Sequence, residues 1–292
     1  MSAVGIGQAD GDGASGYGIT CGGGTVMPAA TKRAPVVVLA SPDSGGSQLL
    51  SLLSASGELA CTVGTGVLPL CDQAAQVWRR VENGGPPGGG LSALAAKSIR
   101  ASVTPLICQI LAGSGAQRWC ECAVPARAAA EVFLGLFAGT RFICLHREVS
   151  QVICAALARS PWGLAGQVYR PFVAAQPGSN VAALAAYWVA HTKALLAFEA
   201  DHPDESLRVR FEDLPGTMGN VPAALNAFLG LTAAYPGPPG PGEDDSPGPG
   251  AGALPLVALP PAALPFEQLP SAMLAEVNDL LRRLGYPSLV PG

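Results

Sequence analysis

Ser41-Pro42-Asp43-Ser44-Gly45-Gly46-Ser47 concentrates small, hydrogen-bonding residues between an apolar run and the start of a helical pattern. Glycines let such a loop bend until several backbone N–H groups aim at one point, and the helix that follows adds the positive end of its dipole. An anion, a phosphate above all, is the ligand this chemistry attracts, with the Ser44 and Ser47 hydroxyls as further donors. The loop lacks the Gly-Lys-Ser/Thr ending of a Walker A sequence. Asp43-Ser44-Gly45-Gly46 also has the residue order found around a chymotrypsin-type serine. No histidine precedes position 146, however, and no Gly-x-Ser-x-Gly elbow is present, which argues against serine hydrolysis.

The cysteines are the second set of reactive side chains: Cys21, Cys61, Cys71, Cys108, Cys120, Cys122, Cys144 and Cys154. A structural zinc site wants paired Cys-x-x-Cys knuckles, and none occurs. Reduced, mostly buried thiols and no metal are therefore expected. His191 and His202, in and just after an alanine-rich helical stretch, read as structural or solvated.

A loop of this kind works only if rigid elements hold it. Pro35-Val36-Val37-Val38-Leu39-Ala40 is a continuous apolar, β-branched run, as in a strand buried on both faces, and Gln48–Leu53 begins a helix. Strands are also expected at Gln117–Cys122, Thr140–His146 and Leu207–Phe211. Helices are expected at Ala126–Phe137, Val149–Arg159, Val181–Ala200, Pro222–Leu229 and Ser271–Leu284. Strands alternating with helices predict an α/β fold, a three-layer parallel sheet flanked by helices, with ligands at the carboxyl ends of the strands. Pro161–Ser179 reads as a long loop of the kind that carries ligand specificity.

The chain has 292 residues, 49% of them hydrophobic and 13% charged, and its 37 glycines and 27 prolines are unevenly spread. Met1–Arg33 reads as a disordered glycine-rich leader, residues 34–292 as one domain, and Tyr235–Gly252 as a flexible Pro/Gly-rich insertion within it. No uninterrupted apolar run reaches the ~18 residues of a membrane span, and no secretory signal pattern opens the chain. The net charge is −4 and basic residues occur at most in pairs, which disfavours nucleic acid as a partner. A cytoplasmic protein is expected.

Several ordered segments together resemble the sulfotransferases that use 3′-phosphoadenosine 5′-phosphosulfate (PAPS). Val36–Leu50 (VVVLASPDSGGSQLL) is similar to that family's first strand and donor loop, and Thr140–Arg147 (TRFICLHR) to the strand whose last Arg meets the donor's 3′-phosphate. Leu207–Leu214 (LRVRFEDL) and Ala227–Leu231 (AFLGL) follow in the family's order, and Leu280–Pro287 has the look of its C-terminal helix in bacteria. The resemblance implies a P-loop-like fold and a donor site made of Asp43, Ser44, Gly45, Gly46, Ser47, Gln48 and Arg147. It implies transfer of a sulfuryl group to a hydroxyl or amine of a small-molecule acceptor, such as a natural product of specialised bacterial metabolism. It involves neither nucleic acid nor membrane and leaves room for a homodimer.

The chain departs from that family at three places. Asp43 stands where relatives place Arg or Lys, so a carboxylate faces the phosphosulfate unless it turns outward and caps the helix. Ala155 replaces a Ser that helps to hold the 3′-phosphate, with Ser150 as a nearby substitute. Ala123 replaces a basic His, which leaves Glu121 and His146 as candidates for the general base. Trp119, Trp162, Tyr169, Phe172, Tyr187 and Trp188 are either core residues or the lining of an acceptor and adenine pocket. These substitutions also allow an alternative, a catalytically degenerate relative that binds a nucleotide or a partner protein as a scaffold.

Overall fold

The computed structural model describes residues 34–83, 90–159, 168–214, 221–232, 264 and 266–289. The expected leader and the expected Tyr235–Gly252 insertion lie outside them. Strand β1 (Val36–Ala40) is buried along its whole length and sits at the centre of the sheet. β3 (Arg118–Ala123) flanks it on one side and β4 (Arg141–His146) on the other, with β2 (Leu59–Val63) and β5 (Ser206–Arg210) at the edges. The order is β2-β3-β1-β4-β5, and every neighbouring pair is parallel.

The pleat of β1 divides the core. Val36, Val38 and Ala40 face α1 (Gly46–Ser54) and α8 (Val221–Leu229). Val37 and Leu39 face the opposite layer, made of α2 (Val67–Asn83), α3 (Ala93–Ser114), α4 (Arg127–Leu136) and part of α7 (Asn180–Asp201). Period-two alternation in a strand apolar on both sides is what gives three layers rather than two. Leu49, Leu50 and Leu53 bury α1 against the sheet, each contributing roughly 1.5–3 kcal/mol of transfer free energy.

A third cluster joins α5 (Val149–Arg159), α6 (Arg170–Ala175), α7 and α9 (Ser271–Arg283) around Leu184, Tyr187, Trp188, Val277 and Leu281. By length and composition α7 is apolar enough to cross a bilayer. Here that apolarity serves packing, because Leu184, Tyr187, Trp188, Leu195 and Phe198 are all buried between the sheet and its neighbouring helices.

β1, β3, β4 and β5 fall within a residue or so of the expected strands. β2, α2 and α3 are elements beyond those expected from the sequence. β2 is a short LACTV edge, and α3 carries Pro105 inside a helix, a position that pattern reading treats as a break. Pro161–Ser179 is not one long loop, since it contains α6, started by Pro171 at its first turn. The thiols of Cys61, Cys71, Cys120, Cys122, Cys144 and Cys154 are free as expected, whereas Cys108 is disulfide-bonded.

β1 leads on toward β2, and β4 toward β5, in the opposite direction across the sheet. Chain connections that diverge in this way open a crevice at the carboxyl ends of the two strands. The tight turn out of β1 depends on Gly45, which has φ 93° and no room for a side chain: a Cβ there would lie 2.0 Å from Phe211 Cδ2. Gly45→Ala is expected to lower stability by about 2–4 kcal/mol. Gly57→Ala, at φ 69° but with nothing within 4 Å of the added Cβ, should lose only ~1 kcal/mol. Urea denaturation midpoints of the two variants check the difference.

Candidate functional site

The crevice between β1 and β4 brings together the loop at Ser41–Gly45, the first turn of α1 and Arg147. Gly45 precedes α1 without any side-chain cap, so the first-turn amides of Gly46, Ser47 and Gln48 are left to an external acceptor. Ser47 and Gln48 are exposed there. Ser44 is not available as a hydroxyl donor to a ligand: it is buried, and its Oγ donates to the Ser41 carbonyl at 2.6 Å while its N–H donates to the same oxygen. Gly46 is needed for close packing, since a Cβ there would lie 2.7 Å from Cys122 Sγ on β3.

Arg147 lies directly after β4 and is 8% exposed. Its Nη1 donates to the Asp43 carbonyl at 2.8 Å, its Nε to Gln151 Oε1 at 3.3 Å, and its guanidinium stacks 4.0 Å above the Phe211 ring. Among the described residues it has no ion-pair partner. The two nearest candidates are turned to other work. Glu148 accepts from Ser150 Oγ and the Gln151 N–H at the start of α5. Glu212 accepts the Glu148 N–H at 2.9 Å and the Tyr286 hydroxyl at 2.6 Å. Burial pulls the Arg147 pKa below its ordinary value, with Glu212 and Glu148 opposing from a distance. A buried cation of this kind is costly unless an anion completes it.

Asp43 neither faces the loop amides nor caps α1. It is the one described non-glycine residue with positive φ, 70°, and its carboxylate is turned away from the loop amides and 3% exposed. There it pairs with Arg159 at the end of α5 and accepts the Tyr169 hydroxyl at 2.7 Å. Burial pushes the Tyr169 phenol up to about 12, which keeps it a donor. The repulsion expected from a carboxylate in the donor loop is thus met by a cation that the sequence reading missed. Its signal was weak: Arg159 is one arginine at the end of a helix, separated from Asp43 by more than a hundred residues.

The two candidate bases lie in different environments. Glu121, on β3, is 1% exposed; its Oε1 accepts the Thr65 N–H at 2.8 Å and the Thr65 hydroxyl at 2.7 Å, while Oε2 is buried with no hydrogen-bond partner. Burial raises its pKa, and the hydrogen bonds from Thr65 and Gly66 offset only part of the rise. His146 is 2% exposed, and its Nε2 is 2.7 Å from Glu199 Oε1 on α7, whose other oxygen pairs with Arg208. Strand alternation therefore separates His146 from Arg147, as the sequence implies.

Ser150 bonds Glu148 and so does not substitute for the residue lost at Ala155. Trp119, Tyr187 and Trp188 are core residues. Trp188 Nε1 donates to the Arg147 carbonyl at 2.9 Å and fixes the exit of β4. Tyr169 is the aromatic that reaches the loop, Phe172 packs on Tyr187, and Trp162 lies outside the described residues. His191 bonds the Pro125 carbonyl at 3.2 Å, a structural placement. Among the described residues no cluster of side chains is suited to a metal ion.

No family model matches the chain, and no curated protein matches it in sequence. Its fold is that of sulfotransferases. The sulfotransferase domain from the curacin biosynthetic pathway superposes with a TM-score of 0.55 at 17% identity, covering 87% of this chain and 98% of that one. The sulfotransferase domain from the Synechococcus PCC 7002 olefin synthase gives 0.50 at 17% identity, with 88% and 95% covered. A sulfotransferase from Alicyclobacillus acidocaldarius gives 0.50 at 12% identity, with 87% and 97% covered.

Burial alone would raise the Glu199 pKa, but His146 and Arg208 outweigh it and hold the carboxyl below its usual value. A depressed carboxylate stabilises the fold above its unfolded-state pKa, and that stability is lost as pH falls through the folded-state value. Glu199→Gln is expected to cost roughly 3 kcal/mol at neutral pH. The gap to the unsubstituted protein should narrow under acid, below the ordinary glutamate range, in denaturation curves recorded across pH.

Proposed function

We propose that this protein is a PAPS-dependent sulfotransferase acting on a hydroxyl or amine of a small-molecule acceptor in the cytoplasm. The observation that carries the reading is Arg147: a buried guanidinium without a carboxylate, beside uncapped helix amides, at the crevice between β1 and β4. The fold supports it, and two of the similar structures are domains of biosynthetic systems, in keeping with a small organic acceptor.

The residues present fit such a donor. The amides of Gly46, Ser47 and Gln48 would hold the 5′-phosphosulfate end, and Arg147 the 3′-phosphate, as a rigid, planar donor matched to phosphate oxygens. The phosphosulfate supplies an activated sulfuryl group. Arg159, held by Asp43 at the rim of the loop, stands in for the cation that the loop lacks. Asp43 would keep that cation placed and hold Arg147 through its backbone carbonyl. Glu121 is the better base: Oε2 is without a partner, and a pKa raised by burial moves a carboxylate toward the range where it accepts an acceptor's proton. His146 is committed to Glu199 and serves the fold.

Titration calorimetry with 3′-phosphoadenosine 5′-phosphate tests the donor site. Binding by the unsubstituted protein should weaken roughly 10- to 100-fold in Arg147→Ala. Asp43→Asn keeps the same left-handed backbone but releases Arg159, and should bind a few-fold more weakly, because the cation it holds beside the loop is no longer fixed. A folded protein that binds no nucleotide in any form sinks the proposal; binding without turnover on any acceptor leaves the scaffold reading standing. Glu121→Gln should keep nucleotide affinity and lose about 10²–10⁴-fold in turnover of whichever acceptor is found.

A further inference from the structure

At the edge of the sheet farthest from Arg147, Cys61 of β2 and Cys120 of β3 are register partners on neighbouring parallel strands. In-register residues of such strands point to the same face, with Cα atoms roughly 4.8 Å apart, inside the range a disulfide spans. Both side chains belong to the core layer under α1. The two thiols are near enough for the state of one to shift the other. Cys61 is half-buried and forms part of the wall of a groove of about 350 Å³, between Ser54 and Gly57 at the end of α1 and Ile110 and Gly113 in α3. Cys120 is fully buried, so a solute reaches the pair through Cys61.

We infer that Cys61 and Cys120 form a reversible redox pair, in which hydrogen peroxide entering the groove oxidises Cys61 and Cys120 resolves it to a disulfide. In the first step the Cys61 sulfur attacks the peroxide: an S–O bond forms, the O–O bond breaks, and the leaving hydroxide takes up the thiol proton as water. In the second step the Cys120 sulfur attacks Cys61, the S–S bond forms, the S–O bond breaks, and hydroxide leaves with the Cys120 proton as a second water. The two thiols are oxidised, and the peroxide is reduced to two waters. A dithiol reverses the process.

The asymmetry of the pair matches these roles. Cys61 faces the groove while Cys120 is buried behind it, and contact with Cys120 lowers the Cys61 pKa against the opposing effect of burial. Contact with Cys61 and burial raise Cys120, which suits a thiol that waits for a partner beside it. Cys71 and Cys144 are also free and buried, and burial raises both well into the unreactive range. Neither is paired in register with another cysteine. They serve as internal controls. The tie also has a structural reach, because β3 carries Glu121 next to Cys120, and Cys122 fills the space behind Gly46.

The test uses the full chain, reduced and then exposed to dilute hydrogen peroxide, with circular dichroism confirming that it stays folded. Mass spectrometry of a non-reducing digest should show the Cys61 and Cys120 peptides joined, lighter by one hydrogen from each thiol, and separated again by dithiothreitol. Cys71 and Cys144 should remain thiols. In Cys120→Ser the reaction should stop at a Cys61 sulfenic acid, trapped as a dimedone adduct. In Cys61→Ser no cross-link should form and Cys120 should stay a thiol. Recovery of both peptides as free thiols from the folded, peroxide-treated protein would overturn the inference. So would equal dimedone labelling of Cys61 in the unsubstituted protein and in Cys120→Ser, because Cys120 would then not be resolving it.

Discussion

A guanidinium placed at the buried end of a central strand has to be satisfied from several directions, and much of the site is organised around that of Arg147. The Asp43 carbonyl supplies one acceptor, Gln151 another, and the Phe211 ring a π face. Trp188 fixes the backbone at that point, and Glu212 holds the next peptide through the Glu148 N–H. Segments far apart in sequence (the turn after β1, the end of β4, the turn after β5 and the C-terminal Tyr286) meet there because one cation needs all of them. What none of them supplies, among the described residues, is a carboxylate in contact with the guanidinium, and this is why the crevice reads as an anion site rather than a packed junction.

Asp43 shows how a departure from a familiar pattern is absorbed. A carboxylate in an anion-binding loop is unfavourable if it faces the ligand, and the effect grows as water is excluded. The left-handed backbone at Asp43 rotates the side chain out of the loop and into contact with Arg159 and Tyr169. Aspartate is one of the few non-glycine residues that adopts this conformation at low cost. The same residue contributes its carbonyl to Arg147, so backbone and side chain of one position serve two cations. Arg159 thereby sets a compensating positive charge beside the carboxylate.

Much of the framework was legible in the sequence. A run of five apolar residues in β1 can only be buried on both faces, and the strand–loop–helix unit after it follows from Gly45 and Gly46. The segments Leu207–Leu214 and Leu280–Pro287, which resemble sulfotransferase motifs, supply Phe211, which stacks on Arg147, and Tyr286, which donates to Glu212. The Ser44 hydroxyl was read as a ligand donor, yet it closes the turn instead, since a buried hydroxyl takes the nearest carbonyl available to it. β2 and α3 escaped because an edge strand and a helix interrupted by proline carry little periodic signal of their own.

The sequence by itself determined the class of fold, the central strand, the glycine turn that leaves it and the arginine at the end of β4, because these depend on local pattern: apolar period, glycine conformational freedom and a charge at a strand end. Only the tertiary structure decided what each charge does. Arg159 reaches Asp43, Glu199 claims His146, Thr65 holds one oxygen of Glu121 and leaves the other bare, and Cys61 lies beside Cys120. Those pairings join residues whose separation along the chain carries no distance information. They are settled by strand order and register, which bring particular side chains within the few ångströms over which hydrogen bonds and ion pairs act.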